Sequence, residues 1–404
     1  MKQKFFILSL AMVVLAIVFQ SFSIDWGFFG HRRINRLAVF TLPEECIGFF
    51  KQNIDYITEH AVDPDKRRYA TKHEAVRHYI DLDHWGKPPF EAVPRKWIDI
   101  MSLYSEIYAI NQKGDTTLLF LPRIDMFEDK FVENYRGKKV DLKIYKNFIY
   151  KEILPSYYEE ERLVSVDQLK YYFPELDLKA TTAFVTESFS SYGILPYHLL
   201  KMQSRLTSAF EKKNIKSILR LAAEMGHYVG DAHVPLHTTE NYNGQLTDQI
   251  GIHAFWESRI PELFADLNYD YFVGSAEYID NPQDYFWDVV LTSHSYVDSV
   301  LIIEQRIKKT FPKDAQMCYD DRLEATVQVQ CRAFAEAYQN AMNGMVEKRM
   351  QASIKSIGSC WYTAWVDAGQ PKLDYGIDLN LGRDKEDEAL EDSYRRKSIF
   401  GREH

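Results

Sequence analysis

Cysteine is scarce in this chain. There are four in 404 residues, Cys46, Cys318, Cys331 and Cys360. No two stand in C-x-x-C spacing, which argues against a thiolate zinc site. In an oxidising compartment one or two disulfides can form, with a pairing that the sequence leaves open, and buried free thiols fit equally well. Positive charge is also in deficit, with 49 basic against 58 acidic side chains and a net charge of −9. That balance excludes a general nucleic-acid-coating protein, which would carry a basic field. It does not exclude an enzyme whose positive charge comes from bound metal. Strand-like alternation is rare, "TTLLFL" being the main candidate, and no internal repeat is seen.

One long apolar run is present. "MKQK" supplies two lysines, and Phe5 to Phe19 follow as a 15-residue apolar run interrupted only by Ser9. "QSFS" then places small residues at Ser21 and Ser23, the pattern of a signal-peptide cleavage site. A membrane helix needs about 20 apolar residues, so an uncleaved anchor is the lesser reading. No cysteine follows the run, which argues against lipid attachment. The expectation is a signal peptide over residues 1–23 and an exported protein, periplasmic or extracellular.

Helical periodicity dominates the remainder. In "SILRLAAEMGHYVGDA" Ile218, Leu219, Leu221, Ala222, Met225 and Val229 recur at spacings of three and four, an amphipathic helix. Leu323 to Ser356, with "AFAEAYQNAMNGMVEKRM", also reads as helix. "GILPYHLLKMQSRLTSAF" reads as a helix opened by Pro196. Residues 86–180 are irregular in pattern, with "GKPPFEAVP" as a breaker cluster. From Arg383 to His404, 13 of 22 residues are charged, a solvated tail. The predicted class is all-α and multi-helical: one domain over 24–365 and a charged tail over 366–404, with about 86–185 as an insertion relative to the family that the motifs below resemble.

The chemistry concentrates in "GHYVGDAHVPLH", Gly226 to His237. Of 12 histidines, four fall between His227 and Glu257. Residues four apart share a helix face. His227 and Asp231 have that spacing, and so do His253 and Glu257 in "HAFWE". Each imidazole–carboxylate pair can grip a metal ion, and His237 follows Pro235, where the chain can fold back toward either. A lone His–acid pair would be an ordinary hydrogen-bonded helix face. Two pairs and His237 together favour metal, and zinc accepts this nitrogen and oxygen donor set.

These segments resemble the zinc-dependent phospholipase C and single-strand nuclease family, the bacterial zinc phospholipases C and the nucleases called S-one and P-one. "HYVGDAHVPLH" followed by "HAFWE" resembles the family core. "WGFFGH" is similar to the opening of the mature nucleases, a Trp with a His five residues later. "AVDPDKRR…RHYIDLD" adds an acid, Asp63, that precedes His78 by 15 residues, and "GILPYHL" also looks familial. The match covers about residues 26–85 and 190–265.

The resemblance implies two to three zinc ions and hydrolysis of phosphate esters by a metal-bound hydroxide that attacks phosphorus. One zinc would take Asp63, His78 and His227, with Asp231 bridging to a second. The second would take His31, Asp231 and backbone atoms of Trp26. The third would take His237, His253 and Glu257. Asp63 would orient or deprotonate the attacking water. Lys66 or Arg67 would contact phosphate, and Tyr79 would stack a base, with a solvated basic run and a core tyrosine as the plain readings. His233 falls outside the ligand positions, and only His78, not His73 or His84, fits the 15-residue spacing. The expected substrate is single-stranded nucleic acid or nucleotides, with phospholipid close behind. Cleavage after Ser23 would leave Ile24, not Trp26, at the mature N-terminus. Glu257 is the acid of the phospholipases, where the nucleases carry Asp. The rival from another class is a zinc-stabilised surface or binding protein without turnover. No obligate protein partner is evident.

Overall fold

A computed structural model describes residues 27–120, 131–134, 136–154, 162–174, 176, 180–322 and 325–373. The proposed signal peptide, Trp26 and the tail from residue 374 lie outside these residues. The chain divides into two compact units, one of residues up to Lys87 and from Ile194 onward, the other Pro88–Gly193.

The first unit is built around the helix Ile215–Ala232. Asn214 caps its N-terminus by accepting from the Ser217 amide at 3.1 Å, which satisfies one of the end donors. The stretch from Leu221 to Ala232 is buried on every side. The helix is therefore the hub of the unit, more enclosed than the one-faced amphipathic helix its pattern suggested. Around it pack Gly27–Ala38, Leu195–Glu211, Pro282–His294 and Met345–Asp367. Trp361 donates its indole N–H to the Ala222 carbonyl at 3.0 Å and stacks on Phe50 with centroids 4.9 Å apart. The Leu195–Glu211 helix carries Pro196 in its first turn, where the missing N–H is not needed.

Leu323 to Ser356 is not one helix. β7 (Met317–Arg322) and β8 (Ala325–Gln330) form an antiparallel hairpin, and a helix follows at Arg332–Ala341. Asn343 and Gly344 then take positive φ of 51° and 76°, and the last helix runs Met345–Asp367. The apolar period continues across the break, but two left-handed residues end one helix and start another. Cys318 and Cys331 form a disulfide at the base of the hairpin, while Cys46 and Cys360 are buried free thiols.

Among the described residues the second unit holds most of the strands. β1 (Ser105–Asn111), β2 (Thr116–Leu118), β5 (Arg162–Val164) and β6 (Ala180–Glu187) form an antiparallel sheet in the order β2-β1-β6-β5. β3 (Phe131–Glu133) pairs with β4 (Lys139–Asp141). Phe120, Tyr145, Phe148 and Phe173 make an edge-to-face aromatic core. The protein is mostly helical, and the all-α expectation is corrected by these sheets. Several strands are only three residues long, too short to show a period in sequence. Among the described residues no helix is long and apolar enough to cross a membrane.

Candidate metal centre

Two glycines let the Gly27–Ala38 helix reach the hub. His31 and Asn35 lie four apart on Gly27–Ala38, and they face Gly230 and Gly226. A Cβ on Gly226 would fall 1.9 Å from Asn35 Oδ1. Asn35 instead donates to the Ala223 carbonyl at 2.9 Å. A Cβ on Gly230 would meet Ile34 Cδ1 at 2.7 Å and His31 Nδ1 at 3.0 Å. The close approach stacks the His31 ring on His227, with centroids 3.9 Å apart.

Five histidines and three acids converge there. Among the described residues three groups have ligand atoms close enough together to hold a metal ion: His31, His227 and Asp231; Asp65, His78 and His227; His237, His253 and Glu257. Asp231 ties them together. Its Oδ2 lies 2.9 Å from His78 Nδ1 and 3.4 Å from His227 Nε2, and its Oδ1 lies 3.5 Å from His31 Nε2 and 3.8 Å from His237 Nε2. Glu257 does the same on the other side, 2.8 Å from His253 Nε2 and 3.5 Å from both His237 Nε2 and His31 Nε2. The Phe255–Arg259 turn carrying Glu257 is wound as a π-turn, a form common at functional sites.

The second ring nitrogens fix the first. His227 Nδ1 donates to the Ala61 carbonyl at 2.9 Å, His237 Nδ1 to the His78 carbonyl at 2.6 Å, and His253 Nδ1 to the Tyr242 carbonyl at 3.0 Å. A neutral imidazole holding its proton there presents Nε2 as a lone pair. Those lone pairs face carboxylate oxygens, which also only accept. Acceptors packed this closely need a shared cation or proton between them, and a His anchored through its other nitrogen is the usual form of a metal ligand.

Electrostatics lean the same way. Burial, then the neighbouring His227, holds His78 well below the ordinary histidine range, and burial, then His31, does so for His227. Burial also lowers His237. Burial, then the nearby Asp65 and Glu257 carboxylates, pushes Asp231 well above the carboxylate range, and burial raises Asp65. Burial would raise Glu257 too, but its contacts with His237, His253 and His31 hold it well below its usual value. Neutral His78 and His227 beside Asp231 and Asp65, whose carboxyls resist ionising, are what a divalent cation reconciles.

Not every expected residue joins the cluster. Asp63 points away: its Oδ2 is 2.6 Å from His60 Nδ1 and its Oδ1 3.5 Å from Lys66 Nζ. Asp65 takes the place beside His78 and His227, at 3.9 and 3.7 Å. Both sit on the short helix Asp63–Arg67, where residues two apart point to nearly opposite sides. The 15-residue spacing thus picks out Asp63, which the fold leaves outside the three groups, and "DPD" is the only local hint of a second acid. Arg67 is held by Glu224 at 2.7 Å and Glu74 at 3.3 Å, so its charge is already engaged. Tyr79 is 5% exposed and offers no open face for a base. His233 stays out, donating to the Val229 carbonyl at 2.7 Å. His84 pairs with Glu240 at 3.1 Å, and His73 enters none of the three groups. Sequence reasoning missed Arg68, 3.6 Å from Asp65, and the buried Glu74.

A cavity of about 40 Å³ touches the cluster at His31 and Glu257 and is walled by Ile34, Trp256, Pro261 and Met350. No protein-family model matches the chain, and no curated protein matches it.

Proposed function

We propose that the protein is an exported zinc-dependent phosphodiesterase, of the type that its motifs resemble. The observation that carries this is the set of imidazole lone pairs, anchored from behind by backbone carbonyls and aimed at Asp231 and Glu257. The donor set of nitrogen and oxygen without thiolate suits zinc. Bound there, zinc supplies Lewis-acid polarisation of a phosphoryl oxygen and a lowered pKa for water.

The chain's own residues would do the rest. Asp231 and Glu257 would set the spacing of the three groups, because each touches histidines from more than one. Asp65 would orient the attacking water and take its proton, the part that Asp63 had in the sequence reading. Burial raises the Asp65 pKa, which favours proton acceptance nearer neutrality, and Arg68 opposes that shift. His227 and His237, locked through Nδ1, would keep the walls fixed while substrate binds.

The burial of Tyr79 and the position of Asp63 outside the three groups weaken the grounds for nucleic acid over lipid. The reading is therefore kept at the level of a phosphate ester. Export draws support from the Cys318–Cys331 disulfide, since such bonds persist in oxidising compartments.

The test is metal analysis of gently purified protein, then hydrolysis of single-stranded DNA, RNA, a 3′-nucleotide and phosphatidylcholine. We expect two to three zinc ions per chain and turnover of at least one substrate. Less than one zinc sinks the proposal. Zinc without any turnover turns it into the binding-protein reading, and turnover of lipid alone assigns a phospholipase C.

A further inference from the structure

We infer that Arg259 is a positioning residue for the metal centre, tying the turn that carries Glu257 to the disulfide-closed β7–β8 hairpin. This rests on the metal-centre reading. Arg259 ends the π-turn Phe255–Arg259, and residues two apart on such a turn point to nearly opposite sides. Glu257 faces inward, to His237, His253 and His31. Arg259 is 8% exposed and reaches the hairpin instead. Its Nε donates to the Gln330 carbonyl at 3.1 Å and its Nη1 to Asp320 Oδ2 at 3.2 Å.

Both acceptors sit at the closed end of the hairpin. Gln330 adjoins Cys331, Asp320 lies two residues past Cys318, and the bond between the cysteines holds their Cα atoms 4.9 Å apart. Cross-linked strands cannot splay there, so the carbonyl on one and the carboxylate on the other keep their spacing. The planar fork of a guanidinium matches two acceptors at a set spacing, as an ammonium does not.

A second tie holds the other end of the turn. Phe255 stacks on Phe334 with centroids 5.5 Å apart, and its ring lies 4.9 Å from that of Tyr338. Both partners are on the Arg332–Ala341 helix, whose N-cap is Cys331. The first and last residues of the turn are thus fastened to chain on either side of one cysteine, with Glu257 midway between them. A π-turn is a rare conformation, and relaxation to an ordinary α-turn would swing Glu257 relative to His253.

A clamp that served stability alone would loosen the whole unit, so the readout has to be local. In metal-free protein, Arg259→Met should speed hydrogen exchange at the Phe255–Arg259 amides about tenfold and leave those of Ile215–Ala232 unchanged. Cys318→Ser with Cys331→Ser should act in the same direction, and Arg259→Lys should recover only part of the loss. In competition with a chelator, Arg259→Met should weaken one zinc equivalent about tenfold and spare at least one other. Thr326→Ala, which removes a hydrogen bond to Asp321 nearer the hairpin tip, should change neither reading. Unchanged exchange in the turn overturns the inference, and so does equal acceleration in the hub helix. Faster exchange with full zinc affinity overturns it too, since Glu257 then needs no such hold. If the wild type takes up no zinc, the metal centre fails, and the exchange pattern still decides whether the hairpin holds the Glu257 turn.

Discussion

His31 and His227 lie face to face on different helices, their ring centroids 3.9 Å apart. The contact depends on Gly230, where a Cβ would come within 3.0 Å of His31 Nδ1 and 2.7 Å of Ile34 Cδ1. Gly230→Ala should cost about 1–3 kcal/mol in urea unfolding, the usual range for overpacking a buried contact. It should also weaken zinc, because the displaced ring carries a proposed ligand. Adding Ile34→Val removes Cδ1 and should restore stability more than zinc affinity. Full recovery of both would show that His31 has no part in the metal site.

Asp65 and Asp63 make a paired comparison. Asp65→Asn should remove most phosphodiester turnover and loosen one zinc. Asp63→Asn should cost less, since its partners are His60 and Lys66. Zinc stoichiometry and turnover of the two variants, measured side by side, decide it. The reverse ranking would return the role to Asp63.

Acid should destabilise the protein through histidines buried in neutral form. His233 is the cleanest case, pushed down to about 3 by burial and the adjacent Arg349 charge. Between about pH 6.5 and 3 the unfolded state takes up a proton that the folded state refuses. Stability is thus unaffected above that window and falls by about 1.4 kcal/mol per pH unit within it. In metal-free protein, His233→Asn should flatten the slope of unfolding free energy against pH by that amount. An unchanged slope would mean that His233 is protonated in the fold.

Tyr79 should behave as a core residue. Its 5% exposure predicts that Tyr79→Ala loses about 3–5 kcal/mol of stability, as other buried aromatics do. Chemical denaturation measures this directly. A stable variant with turnover lost on nucleic acid alone would restore the stacking role.

Metal removal should be visible in stability as well as in activity. At a free zinc concentration 100 times the dissociation constant, a ligand specific for the folded state adds about 2.7 kcal/mol. A chelator should lower the urea midpoint accordingly, and zinc should restore it. No change on chelation would argue against bound metal in the folded state.

Some of this was legible in the chain. The pairs His227–Asp231 and His253–Glu257 follow from helical spacing alone, which fixes which side chains share a face within one element. The hub helix and the Leu195–Glu211 helix could be read from apolar period and Pro196 for the same reason. The short strands of the Pro88–Gly193 unit could not, because three residues carry too little period. Tertiary packing alone decided that Asp231 reaches four histidines and that Asp65, not Asp63, faces His78. The contacts of Asp231 with His31, His78 and His237 join elements far apart in sequence, and the relative rotation of those elements is set by close contacts such as Gly226 against Asn35 and Gly230 against His31. Spacing along the chain carries no information about that rotation.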